Sequence, residues 1–578
     1  MDPFLTQNID RYRSLVAAYA PPARKPESSI PNPDIQIGAR IRPILPDEAA
    51  EGLVAGVYPR SASLSAIADV HELRKSVRGQ PGLTSSSYTV DCVFGPDDST
   101  GDVYKELVEP LVPWAWGGGV GTLFAYGQTG SGKTFTVTAI ERLVAEQLMG
   151  GQLEGEREVH VCIFELAGNV AFDLLNSHKR ISILEDSFGA TQLVGATEHT
   201  PITTSALLSL IDNASAFRKT ASTDRNAASS RTHAMCRLRI ANPAIPAADD
   251  GLLFLVDLAG SEAARDIAEH SADRMKETRE INTSLSILKD CIRGRAQLDV
   301  GAGKGKAPYI PFRASALTKT LKHVFDPAGA RACKTAVVAC VSPSVVDAGP
   351  SKNTLRYAEL LRVTMPKGRG LVEKESVPAS WGNERVQEWI GKSSGTPPIS
   401  ASLLAPTETG AQLVRLPQSL FISRCEKTPG VSSEQALAFY SKLWRLHIDS
   451  QAAQTSSAPI PRVIAQAEPS TPFACHIHPG MFVRYKPPHP TGLDTNIAAI
   501  LCPDWAVETE VKDYYGKDVK GVRGEGERRY LCAMVAPSIM PGAWELDLGR
   551  QCVVEVREME AEVLMEWDVA TRYWFMTV

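Results

Sequence analysis

The segment Gly127-Gln-Thr-Gly-Ser-Gly-Lys-Thr134 has the residue types and spacing to hold a triphosphate. Its glycines let successive backbone N–H groups turn inward toward phosphate oxygens. The Lys133 ammonium can reach the outer phosphates, and the Thr134 hydroxyl can ligate Mg²⁺. An apolar run, Thr122-Leu-Phe-Ala-Tyr126, precedes the loop, and Phe135-Thr-Val137 follows it. The order strand, glycine loop, helix is the P-loop arrangement, and the helix adds its positive N-terminal end to the cradle. Further along, Asn226-Ala-Ala-Ser-Ser-Arg-Thr-His233 is a polar cluster just before the alternating run Ala234–Ile240. Leu252-Leu-Phe-Leu-Val-Asp257 is a buried-strand run ending in a carboxylate, followed by Leu258-Ala-Gly-Ser-Glu262. An Asp at the end of such a strand is placed to hold Mg²⁺ through water.

These groups need a rigid frame, and the rest of the chain bounds what it is. A length of 578 residues suggests several domains at roughly 150 residues each, with one large head allowed. The formal net charge is −5, so attraction to an acidic polymer must come from a local patch. Cys92, Cys162, Cys236, Cys291 and Cys333 are scattered through expected core elements without a Cys-x-x-Cys pair, the pattern of reduced, packed thiols. The N-terminus shows no apolar signal core, and no run is long enough to span a bilayer, so a cytosolic or nuclear protein is expected.

In this order the three segments resemble the P-loop and the two nucleotide switches of the kinesin motor domain. The resemblance extends from Ile35 to about residue 365. It includes Ile35-Gln-Ile-Gly-Ala-Arg-Ile-Arg-Pro43, Tyr88–Phe94 with Val103-Tyr104 after it, Tyr309–Ser315, Leu317-Thr318 and Asn353-Thr-Leu-Arg-Tyr-Ala358. It implies an α/β P-loop NTPase motor head, a central mixed sheet with helices on both faces. By resemblance, ATP would be held by Arg40, Arg42 and Pro43 flanking the adenine, by Phe135, and by Gly127, Gln128, Thr129, Gly130, Ser131, Gly132, Lys133 and Thr134. Mg²⁺ would be held by Thr134 and Ser230, with Asp257 behind them. Ser229, Ser230, Arg231, Gly260 and Glu262 would carry catalysis, Arg231 and Glu262 closing the switches as a salt bridge. The microtubule face would include Asn282, Arg293, Arg295, Arg313, Lys319 and Lys322, with Lys304 and Lys306 on a basic loop.

Phe164–Asn176, Ile183-Leu-Glu-Asp186, Ala272-Asp-Arg274 and Leu288–Arg293 are similar to the kinesin-13 group, whose members disassemble microtubule ends. An early hairpin between Val70 and Asp91 has the length of that group's, but Ser76-Val-Arg78 stands where Lys-Val-Asp would be. The alternative is an ATP-binding microtubule scaffold with little turnover, acting through its C-terminal modules.

Outside the head, residues 1–34 read as a Pro-rich leader and 378–449 as a helical module, similar to SAM domains. Ser432 with Gln435 offers a capping box there. Residues 450–472 read as a Gln/Ala/Ser/Pro linker. Residues 473–578 alternate strand-like runs with Gly/Pro turns, which predicts a small closed antiparallel barrel serving as a partner-docking module. Cys475, His476 and His478 lack a second ligand pair and read as loop residues. No sustained heptads follow Ala358, so oligomeric state stays open. Val137–Leu148 contains no Gly or Pro, which predicts a continuous helix after the P-loop.

Overall fold

The computed structural model describes residues 3–21, 29–32, 34–61, 66–76, 80–185, 191–224, 231–246, 248–261, 272–299, 309–325, 333–362, 364–366, 377–457, 481–485, 497–503, 529–537, 544–555, 559–568 and 573–576. They belong to two compact units, Met1–Gln451 and Ala452–Val578.

The first unit is built on a ten-stranded mixed sheet. The P-loop strand Val120–Tyr126 lies parallel between Gly251–Asp257 and Cys333–Val341, and it is buried at every position. A strand covered on both faces reads as a continuous apolar run, which explains the lack of alternation in its sequence. Neighbouring residues point to opposite layers. Phe124 packs in one core with Ile281, Leu285 and Leu288 of the helix Ala272–Asp299 and with Leu355 of the helix Ala348–Leu361. Leu123 packs in the other, with Ile140 and Val144 of the P-loop helix Lys133–Met149 and with Leu207 and Ile211 of the helix Thr204–Asp224. Each large side chain buried this way contributes roughly 1.5–3 kcal/mol as an upper figure. The P-loop helix runs unbroken for 17 residues, as the lack of a breaker predicts.

Register does the positioning. Asp257 pairs with Ala125, and Ala339 pairs with Tyr126, so the loop that leaves Tyr126 is flanked by the ends of both neighbouring strands.

The leader contributes more than its prolines suggest. Pro3–Gln7 and Ile9–Ala17 are helices, and Tyr12 is 1% exposed, donating its hydroxyl to Ala55 O at 2.9 Å. Leu5 and Tyr12 share a small core with Val54 and Val345, flanked by Leu73 and Leu83 of the early hairpin. That hairpin, Ala66–Lys75 with Pro81–Val90, is an antiparallel ladder extended by Val57–Ser61. Ser29–Pro31 pairs antiparallel with Thr364–Pro366.

The helical module forms inside the first unit. Val386 and Ile390 on the helix Asn383–Ser393 and Ala436 and Leu443 on the helix Ser433–Ser457 are all buried, and Trp389 stacks on Phe439 at 4.8 Å. The Ser432 hydroxyl accepts from Gln435 N at 3.2 Å. The Gln435 amide does not complete the box. It donates to Ser394 O and Pro397 O at 2.9 and 2.7 Å, tying the helix start to the preceding turn.

The module is seated on the head at glycines. Thr409 Oγ1 donates to Gly117 O at 2.6 Å, and a Cβ on Gly117 would meet Thr409 Cγ2 at 2.5 Å. Close approach is available only without a side chain there. Gly117→Val is therefore expected to unseat the module while leaving the sheet intact. Limited proteolysis should then cut between the head and residue 377 faster than in the parent, and unchanged cleavage would contradict the seat.

In the second unit the described strands form a six-stranded antiparallel sheet. Its order is Trp544–Glu555, Arg529–Pro537, Ile497–Pro503, Met481–Tyr485, Met559–Asp568, Tyr573–Met576. Among the described residues its two edge strands do not pair with each other, so closure into the expected barrel is not seen there. Alternation specifies strands and their faces, but whether the ends meet depends on twist and bulges. Cys475, His476 and His478 lie outside the described residues. No helix among the described residues is long and apolar enough to cross a membrane.

Candidate nucleotide site

The loop Gly127–Gly132 has a backbone that demands its glycines. A Cβ on Gly127 would sit 2.2 Å from Cys340 O, and Gly130 and Gly132 hold φ of +79° and +94°. Lys133 is buried, its Nζ donating to Gln128 O at 2.8 Å across the loop. Thr129, Gly130, Thr134 and Phe135 face solvent around this cradle, whereas Gln128 and Ser131 are buried in its floor.

Behind the loop lies a chain of polar contacts. Thr134 Oγ1 donates to Asp257 Oδ2 at 2.8 Å, and Arg218 Nη1 donates to the same oxygen at 2.7 Å. Asp257 is 3% exposed, and its other oxygen is buried with no hydrogen-bond partner among the described residues. Arg218 Nη2 donates to Thr232 O at 2.9 Å, and Thr232 Oγ1 donates to Glu165 Oε2 at 2.8 Å. Burial first, and the charge of Asp257 second, push the Glu141 carboxyl on the P-loop helix up to about 8.

His233 links the strand ends to the helix beyond. Ala259 N donates to His233 Nδ1 at 3.0 Å, which places the ring proton on Nε2, facing Ser284 Oγ at 3.0 Å. Ser284 Oγ in turn donates to Ile281 O at 2.7 Å. Burial, then Arg218, push His233 down to about 4, so the neutral ring is the working form. Ser261 N donates to Gly127 O at 3.1 Å and closes the strand end onto the P-loop.

On the loop's outer side Phe135 is 70% exposed, an open ring face beside the cradle. Arg40 lies 5.6 Å from that ring and donates to Thr136 Oγ1 at 2.7 Å. Arg42 is engaged otherwise than its expected place flanking a base suggests. It pairs with Glu48 at 2.5 Å and donates to Gly130 O at 2.9 Å, bracing the loop, with exposed Pro43 next to it.

Of the expected catalytic set, Arg231 is half-buried next to Thr232, and Gly260 is buried between Ala259 and Ser261. Ser229, Ser230 and Glu262 lie outside the described residues. Arg218, Glu165 and Glu141 carry no motif signal and were not expected at this site.

The expected basic face divides. Arg293 is exposed and Asn282 half-buried on the helix Ala272–Asp299, while Lys304, Lys306 and the Arg295 side chain lie outside the described residues. Arg313 is exposed and pairs with Glu185 at 2.9 Å, and Lys319 Nζ donates to Ile183 O at 2.9 Å. Lys322 corrects the expectation. It is 7% exposed and pairs with Glu185 at 3.0 Å, so its charge is used inside the fold. Hydrogen bonds from Arg313 and Lys322 together hold the Glu185 carboxyl down at about 2.

A glycine cradle, a buried lysine, and a threonine and an aspartate meeting behind them are the parts of a P-loop nucleotide site. The kinesin motor domain model matches residues 40–364, more than half of the chain, and the chain belongs to that family. It is 38% identical over 314 residues to the diatom spindle kinesin-1 of Cylindrotheca fusiformis, covering 53% of this chain and 48% of that one. It is 34% identical over 337 residues to the kinesin-like protein KIN-13B of Arabidopsis thaliana, covering 57% and 47%. The chain thus spans about half the length of these relatives. A solved fast kinesin is 25% identical with a TM-score of 0.48, covering 59% of this chain and 95% of its own.

Proposed function

We propose that the chain is a microtubule-stimulated ATPase, hydrolysing ATP to ADP and phosphate and coupling turnover to microtubule contact. The observation that carries this reading is the convergence of Thr134 and Arg218 on one buried oxygen of Asp257 behind an intact glycine cradle. Catalysis of phosphoryl transfer is positioning plus electrostatics, and these residues supply both. Lys133 and the loop amides would face the phosphates, and Phe135 offers a ring for the base. The donor set also fits Mg²⁺, because Asp257 keeps one buried oxygen without a described partner beside the Thr134 hydroxyl. Thr134 and Ser230 would hold the ion directly and Asp257 through water. When bound, it would neutralise charge on the outer phosphates.

Arg231 and Glu262 would close the two switches over the attacking water, with the Gly260 N–H facing the γ-phosphate. In this reading the microtubule face runs along the helix Ala272–Asp299, with Arg293, Arg313 and Lys319 reaching an acidic tubulin surface. Cytoplasmic and spindle microtubules are its place of action. Residues 473–578 would dock a protein partner.

The test is ATPase rate with and without microtubules. Stimulation by microtubules is expected, and an unstimulated or absent rate would leave a nucleotide-binding scaffold. Glu262→Ala should keep ATP binding, since the P-loop stays whole, while lowering turnover by about a hundredfold or more. A variant turning over at the parental rate would remove Glu262 from the mechanism.

A further inference from the structure

One side chain that no motif marks reaches the nucleotide site from an adjoining turn. His178 Nε2 lies 2.7 Å from Glu165 Oε1. Glu165 is 8% exposed, and its second oxygen accepts from Thr232 Oγ1 at 2.8 Å and lies 3.8 Å from Arg218 Nε. Because a carboxylate only accepts, the imidazole must be the donor, with its proton on Nε2. The ring is clamped flat against Phe172, with centroids 4.3 Å apart and planes 11° apart.

The backbone that delivers this ring is unusual. Ser177 and His178 hold φ of +48° and +58°, the only non-glycine residues described with positive φ, and they are consecutive. L-residues enter the left-handed region at a cost, and strain of this kind persists where surrounding contacts hold it. Here the turn places the imidazole on the Glu165 carboxylate.

We propose that His178 is a positioning residue for the nucleotide site. Through Glu165 it fixes the Thr232 hydroxyl and the Arg218 guanidinium, and through Arg218 it fixes Asp257 and the Thr134 hydroxyl. Without the imidazole, Glu165 Oε1 loses its donor, the carboxylate can rotate, and Arg218, one of the two groups bonded to Asp257, loses its alignment. On the proposed adenine side, Arg40 bonds to Thr136 rather than to any of these groups. This proposal rests on reading the site as hydrolytic.

The test uses the full chain carrying His178→Asn or His178→Gln. Asparagine tolerates the left-handed backbone but is too short to reach Glu165, so it removes the contact without adding backbone strain. Glutamine extends an amide donor toward the Nε2 position. His178→Asn is expected to lower kcat about tenfold, the size of loss seen when partners behind a ligand set are removed. The KM for ATP and the melting temperature should stay near the parent's, and release of a fluorescent ADP analogue should speed up. His178→Gln should restore most of the rate. Parental kinetics in His178→Asn, a fall in melting temperature that accounts for the loss, or failure of His178→Gln to rescue would each overturn the proposal. If the parent binds nucleotide but does not hydrolyse it, the hydrolytic reading fails. The analogue's release rate then decides the His178 contact alone, accelerated release supporting it and unchanged release overturning it.

Discussion

Asp257→Asn is expected to reduce the steady-state ATPase by about a hundredfold or more, because one buried carboxylate organises both sides of the site. Its Oδ2 accepts from Arg218 at 2.7 Å and from Thr134 at 2.8 Å. An asparagine must aim either its amide hydrogens or its single oxygen at that point. If the amide faces Arg218, two donors collide. If the oxygen does, a neutral acceptor replaces the charge that balanced a guanidinium only 10% exposed. Removing one partner of a buried pair leaves the other uncompensated, at a cost of about 3 kcal/mol at the lower end of such cases. Glu165, 3.8 Å from Arg218, offsets part of this and keeps the estimate low. The same change also alters the position of Oδ1, which has no hydrogen-bond partner among the described residues and would face the water of a bound cation. The variant should therefore lose turnover, melt several degrees lower and bind nucleotide with weaker dependence on Mg²⁺. Parental turnover would remove Asp257 from the site.

The loop itself was legible in the sequence because its constraints are local. Gly127 has no room for a side chain, and Gly130 and Gly132 hold positive φ, so the residue types announce the geometry. Asp257 was legible because it ends a continuous apolar strand. Arg218 was not, being a single arginine on a helix whose partner lies 39 residues away, and no spacing rule connects the two. Glu165 pairs across 67 residues with Thr232 and looks like any polar residue on a strand. Lys322 was misread for the opposite reason: a lysine reads as solvated until a carboxylate such as Glu185 is seen to bury it. Leu5 and Tyr12 lie on two short helices of a proline-containing leader, and only the fold shows them packing beside the early hairpin. Open and closed sheets share one alternation, so the form of the second unit could not be read from its strands.

In the proposed reading, the early hairpin is the element that would govern what the chain does at a filament end. Its ladder stays paired out to Lys75 with Pro81, and beyond it Ser76 N donates to Gln80 O at 2.8 Å. The leader helices pack against Leu73 and Leu83 near the outer end of this ladder, so the described part of the arm is braced. Yet the sequence beyond the ladder reads Ser76-Val77-Arg78, where the kinesin-13 group carries Lys-Val-Asp, and Arg74 and Lys75 precede it. Any contact made by the acid in that group would meet a base here. Charge reversal costs more than loss, because repulsion is added to the missing attraction. Stabilised microtubules incubated with the purified chain and ATP should therefore stimulate hydrolysis while shortening slowly or not at all. Ser76→Lys combined with Arg78→Asp should restore part of the shortening, since the arm that carries the tip is already in place. Rapid shortening from both ends by the unmodified chain would show that the tip's charge does not govern the activity.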